Sequence, residues 1–275
     1  MTLQIVERTR DLAVMRSLVT KGVGFSVAAA MRGSRTKGGW GLVFTAQCEI
    51  HTTEITPCIQ QRLWEGKDIA MMRKMSDTMK SHGALTGIRL ACSGVNGPII
   101  YGKEVLMAVS AQPIRRFTND PVQARAPDTS DIHDLRRWFV NAAKRSHVAS
   151  VYLICFYGAH NFGIFSIFLS RATNHRTDEY GGGLENPARF VNEVIGDIRD
   201  VVGDTMGITL RVFLDESIND LGFSNAEVRD FVEMNRNLPD VWEPCAGHVG
   251  RLFRLVALQG RCGAARAGQG YSGVD

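Results

Sequence analysis

Two side chains that can donate or transfer a proton, Tyr157 and His160, stand three residues apart. Tyr157 is the last residue of an apolar run over 151–157 that predicts a buried strand, and His160 follows that run. Both would therefore lie at or just past the carboxyl end of that strand. A phenol and an imidazole at that place can hydrogen-bond a substrate or transfer a proton. The same two groups can equally be satisfied within a loop, and the residues alone leave both interpretations open.

A glycine-rich run over 174–190 follows, with the sequence NHRTDEYGGGLENPARF. It leads the chain from a loop into a helix, for which we predict Asn186 as the N-cap. Arg176 can form a charge-assisted ion pair with either Asp178 or Glu185. Such a pair would fix the loop, which makes the run chiefly structural.

The elements that must position these residues alternate along the chain. Four apolar runs predict buried parallel strands, over 40–46, 86–92, 151–157 and 207–214. Helical periodicity lies between and after them, over 67–82, 131–147, 186–202 and 224–237. We expect Ser130 to cap the second helix, and Met72, Met75 and Met79 of the first helix to fill the core. The alternation indicates right-handed βαβ units around a parallel sheet.

Composition excludes several classes of protein. A net charge of +4 over 275 residues provides no basic face for a nucleic acid. The six cysteines form no C-x-x-C pair, so neither a zinc site nor an iron–sulfur cluster is indicated. Cys92 and Cys155 lie in strand-like runs, as small buried hydrophobes do. No apolar stretch is long enough for a membrane span, and charges near the start interrupt any signal peptide, so we expect a cytoplasmic protein.

The run over 174–190 resembles the N-x-R-T-D-x-Y-G-G-S-L-E-N-R-x-R-F signature of the old yellow enzyme superfamily, the NADH:flavin oxidoreductases. Other segments resemble the trimethylamine dehydrogenase-like branch of that family. They are Gly38-Gly39-Trp40, Glu49-Ile50-His51, Arg62-Leu63-Trp64, His82-Gly83-Ala84-Leu85, Ala142-Ala143-Lys144-Arg145 and Tyr157-Gly158-Ala159-His160. The resemblance covers roughly residues 25–243.

This resemblance implies an α/β fold, a (β/α)8 TIM barrel with FMN at the carboxyl ends of its strands. The strand pattern predicts an incomplete barrel of about five or six of the eight units. We expect residues 1–243 to form this partial FMN-binding barrel and residues 244–275 to form a divergent Arg/Gly-rich tail.

The resemblance also implies roles for four residues. Tyr157 and His160 match the catalytic pair that faces the substrate above the flavin. Arg211 matches the strand arginine at the pyrimidine edge of the flavin, and an arginine in a buried strand is costly unless it is paired. Arg89 stands where the family usually has Gln or Glu against the flavin ring, and it is the second cofactor-binding candidate.

The implied function is that of an FMN-dependent oxidoreductase, with amine dehydrogenase, demethylase or enoate reductase chemistry by hydride transfer through FMN. Its partners would be a small-molecule substrate and NAD(P)H, without an iron–sulfur cluster in this chain. Gln47 stands where the amine dehydrogenase has an aromatic residue around its substrate, so specificity for methylated amines is not implied.

One alternative is a catalytically inactive, truncated fragment that acts at most as an interaction module. It follows from the missing counterparts of the closing strands, whose loops hold the FMN phosphate. Unpaired sheet edges would favour a homo-oligomer. A different TIM-barrel enzyme acting on a phosphorylated substrate is a further alternative, against which the 174–190 signature argues.

Overall fold

The computed structural model describes residues 23–52, 61–94, 105–113, 123–159, 163–216 and 222–245 of the chain. Its strands are β1 (Leu42–Glu49), β2 (Gln61–Arg62), β3 (Leu85–Ala91), β4 (Gln112–Pro113), β5 (Gln123–Ala124), β6 (Leu153–Gly158), β7 (Gly207–Phe213) and β8 (Val241–Cys245). Its helices are α1 (Val23–Lys37), α2 (Asp68–Lys80), α3 (Thr129–Val148), α4 (Ile164–Leu169), α5 (Glu185–Val202) and α6 (Asn225–Met234).

Six strands form one sheet in the order β2-β1-β3-β6-β7-β8, and every neighbouring pair is parallel. The long strands follow one another across the sheet in chain order. The longer helices pack together in chain order, α1 on α2, α2 on α3 and α3 on α5, so they form one layer against the sheet. A singly wound parallel sheet with its helices on one side is the wall of a TIM barrel. The predicted incomplete barrel is confirmed, because the described strands do not close on themselves.

The four predicted strands are all present, with bounds that differ by at most three residues. The sheet also contains β8, which was not among these four strands and which pairs with β7 from Val241 to Cys245. The expected boundary between residues 243 and 244 therefore falls inside a strand. The small β4–β5 ladder is antiparallel and separate from the main sheet.

Side chains along each strand alternate between the core, which lies on the helix side, and the opposite, concave face of the sheet. On β6, Ile154 and Phe156 are fully buried towards the helices, where Phe156 packs edge-on against Phe139 of α3 at 5.9 Å between ring centroids. Met72, Met75 and Met79 of α2 are buried as predicted. The convex side of the sheet is thus held by aromatic and aliphatic packing, which leaves its other face for polar groups.

Two predicted helix caps are wrong. Asp128, not Ser130, caps α3: its Oδ1 accepts from the backbone N–H of Asp131 at 2.9 Å, and Asp131 accepts in return from the N–H of Asp128 at 2.9 Å. Asp and Ser are both common capping residues, so the start of the helix is determined by the reciprocal hydrogen bonds between Asp128 and Asp131. Asn186 lies inside α5, and its amide donates instead to the Gly181 carbonyl at 2.9 Å.

Among the described residues no helix is both long and apolar enough to cross a membrane. The four cysteines that the described ranges include, Cys48, Cys92, Cys155 and Cys245, are free thiols. No group of three or more His, Cys, Asp or Glu side chains in these ranges is arranged to hold a metal ion.

The capping box of α3 leads to a first prediction. Asp128→Ala removes the acceptor for a helical N–H group and should lower the free energy of unfolding by about 1 kcal/mol. Ser130→Ala is the matched control and should leave the urea midpoint nearly unchanged. Equal losses in the two variants would contradict the assignment of the cap to Asp128.

Candidate functional site

The concave face of the sheet carries a cluster of polar and charged side chains near the carboxyl ends of four strands. They are Arg89 of β3, Cys155 and Tyr157 of β6, Arg211 of β7 and Glu243 of β8. The parallel register pairs Arg89 with Cys155, Tyr157 with Arg211, and Arg211 with Glu243. Side chains that share register and parity point to the same face of a sheet, so distant parts of the chain converge here.

Glu243 links the two arginines through a single carboxylate oxygen. Its Oε1 accepts from Arg211 Nη1 at 2.9 Å and from Arg89 Nη2 at 3.2 Å. In the sheet, β3 and β8 are three inter-strand spacings apart, which is about 14 Å along a flat sheet. The contact between Arg89 and Glu243 therefore depends on the curl of the sheet, which brings the tips of long side chains together over the concave centre.

The carboxylate also accepts a hydrogen bond from a buried thiol. Cys155 Sγ lies 3.5 Å from Glu243 Oε2. Burial, and then the negative charge of Glu243, raise the pKa of Cys155 to about 12. Cys155 is thus a neutral thiol that donates to the carboxylate and has little nucleophilic character. The expected burial of Cys155 is confirmed, whereas its hydrogen bond to Glu243 was not predicted.

Tyr157 is half-buried beside Arg211, whose guanidinium carbon lies 5.3 Å from the centre of the phenol ring. Burial raises the pKa of Tyr157, and the nearby charge of Arg211 acts in the opposite direction. The phenol therefore keeps its proton at neutral pH. It presents an O–H group that can donate to, or exchange a proton with, a bound molecule.

The Arg211 guanidinium remains charged in this setting. Burial acts to lower the pKa of Arg211, but a hydrogen bond with Cys245 and the charge of Glu243 outweigh it, so the pKa lies above its ordinary value. Two guanidiniums and one carboxylate give this cluster a formal charge of +1. The concave face is thus suited to an anionic or electron-rich ligand.

Three buried polar atoms of this face have no hydrogen-bond partner among the described residues: Arg89 Nε, Arg211 Nε and Thr209 Oγ1. A buried donor without an acceptor costs about 1–3 kcal/mol. The other unpartnered buried polar atoms are dispersed over the described chain, on Gln61, Trp64, Gln112 and Asn192. Two cationic N–H donors and a hydroxyl on one face, by contrast, form a coherent set that an acceptor-rich ligand would satisfy.

Three of the four residues predicted for the site, Tyr157, Arg211 and Arg89, lie together on this face, while His160 falls outside the described residues. Glu243 was not predicted. The signal that could have revealed it is an acidic residue within the run 241–245, which continues the βα alternation. The predicted boundary between residues 243 and 244 divides this run, and none of the four strands located in the sequence includes it.

The signature run forms a loop that holds itself together. Arg176 Nε donates to Asp178 Oδ1 at 2.9 Å, which confirms one of the two predicted ion pairs and lowers the pKa of Asp178. Arg176 Nη1 also donates to the Pro127 carbonyl at 2.7 Å. The Asn174 amide donates to the carbonyls of Phe168 and Tyr180 at 2.7 and 2.8 Å. The expected structural role of this run agrees with these contacts.

An ionic network joins that loop to two helices. The Tyr180 hydroxyl donates to Glu193 Oε2 at 2.9 Å, and burial raises the pKa of Tyr180 to about 12. Arg136 of α3 contacts Glu193 at 3.0 Å and Asp197 at 2.7 Å, both on α5. The loop is therefore fixed against the α3–α5 pair, which flanks β6 and its Tyr157.

Residues 11–250 match the profile of the NADH:flavin oxidoreductase / NADH oxidase family. Dimethylamine dehydrogenase of Hyphomicrobium sp. (strain x) is 32% identical over 228 residues, which cover 80% of this chain and 31% of that protein.

Two solved structures are also similar. Histamine dehydrogenase from Rhizobium sp. 4-9 superimposes with a TM-score of 0.78 and 65% identity, covering 81% of this chain and 32% of its own. The 6-hydroxypseudooxynicotine amine oxidase from Pseudomonas geniculata N1 gives a TM-score of 0.78 and 33% identity, covering 82% and 34%. The chain thus spans about a third of the length of these relatives.

Close packing within the signature loop gives a second prediction. A Cβ placed on Gly181 would lie 2.0 Å from the Arg176 carbonyl oxygen, whereas one on Gly183 would meet only a side-chain oxygen of Glu185 at 3.3 Å. Gly181→Ala should lower the free energy of unfolding by about 1–3 kcal/mol or more, because backbone must move. Gly183→Ala, the matched control, should shift the urea midpoint far less. A tolerated Gly181→Ala would contradict the packing of this loop.

Proposed function

Because the chain belongs to the NADH:flavin oxidoreductase / NADH oxidase family, we propose that it is an FMN-dependent oxidoreductase with its flavin on the concave face of the sheet. The observation that carries this proposal is the pair of buried, unpartnered Nε–H groups on Arg89 and Arg211. The isoalloxazine ring has carbonyl and ring-nitrogen acceptors along its pyrimidine edge, which these donors fit. When bound, FMN supplies two-electron redox chemistry.

The residues of the chain would then have distinct tasks. Arg211 and Arg89 hold the acceptor-rich edge of the ring. Their fixed charges stabilise the negative charge that accumulates there on reduction, without reorientation during the reaction. Tyr157, as a neutral phenol, orients the substrate by hydrogen bonding or holds a transferable proton. His160 is proposed as the second catalytic group beside Tyr157.

We propose an amine as the substrate class, with histamine as the first compound to test. The 65% identity to histamine dehydrogenase and the similarity to two further amine-oxidising enzymes support this choice. The charge of the site offers a physical reason as well. Nearby guanidiniums disfavour a second cation, so they lower the pKa of a bound amine and keep its nitrogen lone pair free. Only an amine with a free lone pair can lose two electrons from its C–N unit.

NAD(P)H as an electron donor and a cytoplasmic location remain predictions of the sequence. The alternative of an inactive fragment that acts as an interaction module has no observation in its favour. Reduction of bound FMN distinguishes it from the proposed enzyme, because an inactive fragment would not transfer electrons from a substrate to the flavin.

The first test of function is spectroscopic. The full chain, titrated with FMN, should form a one-to-one complex with a perturbed visible flavin spectrum. Anaerobic histamine should then bleach that band. A chain that leaves the FMN spectrum and the FMN fluorescence unchanged would contradict the proposal. Bound FMN that is bleached by NAD(P)H but not by amines would contradict the substrate class alone, and bound FMN that no reductant of these kinds bleaches would favour the inactive fragment.

A second test addresses Tyr157. Tyr157→Phe removes only the hydroxyl and should lower kcat/KM for the amine by about 10²-fold, while the affinity for FMN stays close to that of the unmodified chain. Tyr152→Phe is the matched control, because Tyr152 is exposed and lies near Lys80, before β6 begins. If both variants keep full kcat/KM, the hydroxyl of Tyr157 has no catalytic role.

A further inference from the structure

Both oxygens of the Glu243 carboxylate are engaged, and within the described part of the chain its three side-chain partners come from other strands. Oε1 accepts from Arg89 of β3 and Arg211 of β7, and Oε2 accepts from the Cys155 thiol of β6. A carboxylate held at both oxygens has a fixed orientation. It can therefore determine where the two guanidiniums point.

Each guanidinium is fixed on a second side by an aromatic ring. The guanidinium carbon of Arg89 lies 5.4 Å from the centre of the Phe44 ring, and that of Arg211 lies 5.3 Å from the centre of the Tyr157 ring. With the terminal nitrogens on Glu243 and one face against a ring, each Arg keeps its buried Nε–H for a ligand. The bridge thus leaves the two donors available in a fixed position.

We propose that Glu243 is the positioning residue of this site: its carboxylate holds Arg89 and Arg211 together and limits the charge that they present to the flavin. The proposal rests on the proposed function in that the ligand is FMN. Glu243 is not assigned contact with the flavin or the substrate, and it acts through the two arginines. Without it, two like charges would face one another across the concave face.

The summed formal charge of Arg89, Arg211 and Glu243 predicts the direction in which each variant should act. With Glu243 the three side chains sum to +1, and Glu243→Gln changes this to +2. Arg89→Gln changes the sum to 0, and the double variant R89Q/E243Q returns it to +1 without the bridge. If only the charge of Glu243 mattered, the double variant, with its sum of +1, should bind the anionic FMN at least as tightly as R89Q, with its sum of 0. Weaker binding by the double variant would therefore report the loss of positioning of Arg211.

The first experiment needs no flavin. The ionisation of Tyr157 is followed by NMR of the full chain with 13C-labelled tyrosine, and the resonance is assigned from Tyr157→Phe. Because Glu243 raises the pKa of Tyr157 and Arg89 lowers it, E243Q should lower this pKa and R89Q should raise it. The double variant should lie between the two. An unchanged pKa in E243Q would overturn the proposal, whether or not the chain binds FMN.

The second experiment uses the FMN complex. E243Q should favour the reduced flavin over the oxidised flavin about tenfold, a rise in midpoint potential of about 30 mV for a two-electron couple. R89Q should shift it in the opposite direction. Glu233→Gln is the matched control, since Glu233 is exposed on α6 and pairs only with Arg236 among the contacts described. An E243Q potential equal to that of the control would overturn the proposal.

The double variant completes the test. If Glu243 positions Arg211, R89Q/E243Q should bind FMN at least about tenfold more weakly than R89Q alone, because Arg211 has then lost its fixed partner. Equal affinity in R89Q and R89Q/E243Q would overturn the positioning role. A chain that binds no FMN in any form overturns the proposed function instead, and the phenol titration then decides the role of Glu243.

Discussion

The curl of the parallel sheet brings Arg89 of β3 into contact with Glu243 of β8 at 3.2 Å, although two strands lie between them. The helix layer and its aromatic core hold the convex side of the sheet, and so the long side chains on the other side converge. The shared carboxylate makes this convergence tolerable, because two guanidiniums on a half-buried surface would otherwise repel each other. The unpartnered Nε–H donors lie within that arrangement, and burial keeps the phenol of Tyr157 and the thiol of Cys155 beside it neutral.

The segment that is most recognisable in the sequence lies outside this cluster. In the loop over 174–184, Arg176 and Asn174 are occupied with backbone carbonyls and with Asp178, and Tyr180 is bonded to Glu193. These contacts fix the loop and the α3–α5 pair around β6. The signature thus identifies the family through the way the scaffold is held, whereas the chemistry is assigned to residues on the strands themselves.

The sequence predicts elements whose signals are local. Continuous apolar runs located four strands of the sheet, and the cost of an unpaired arginine in a buried strand pointed to Arg211. Glu243 has only a weak local signal, an acidic residue in a short run that continues the βα alternation. Its partners lie 154 and 32 residues away in the chain, and its strand is short and contains Pro244, which favours reading the run as a loop. The cap of α3 differs from the prediction by two residues for a local reason: the residue three positions after Asp128 is Asp131, which accepts in return, whereas the one three positions after Ser130 is His133.

The central claim is that the two buried Nε–H groups await an acceptor on FMN. Their 15N–1H resonances, assigned with the variants R89K and R211K, can be followed while FMN is added to the full chain. We expect the Nε–H resonances of both Arg89 and Arg211 to move downfield and to exchange more slowly with solvent, as each gains an acceptor. If FMN binds and neither resonance moves, the flavin lies elsewhere and this account of the site is wrong.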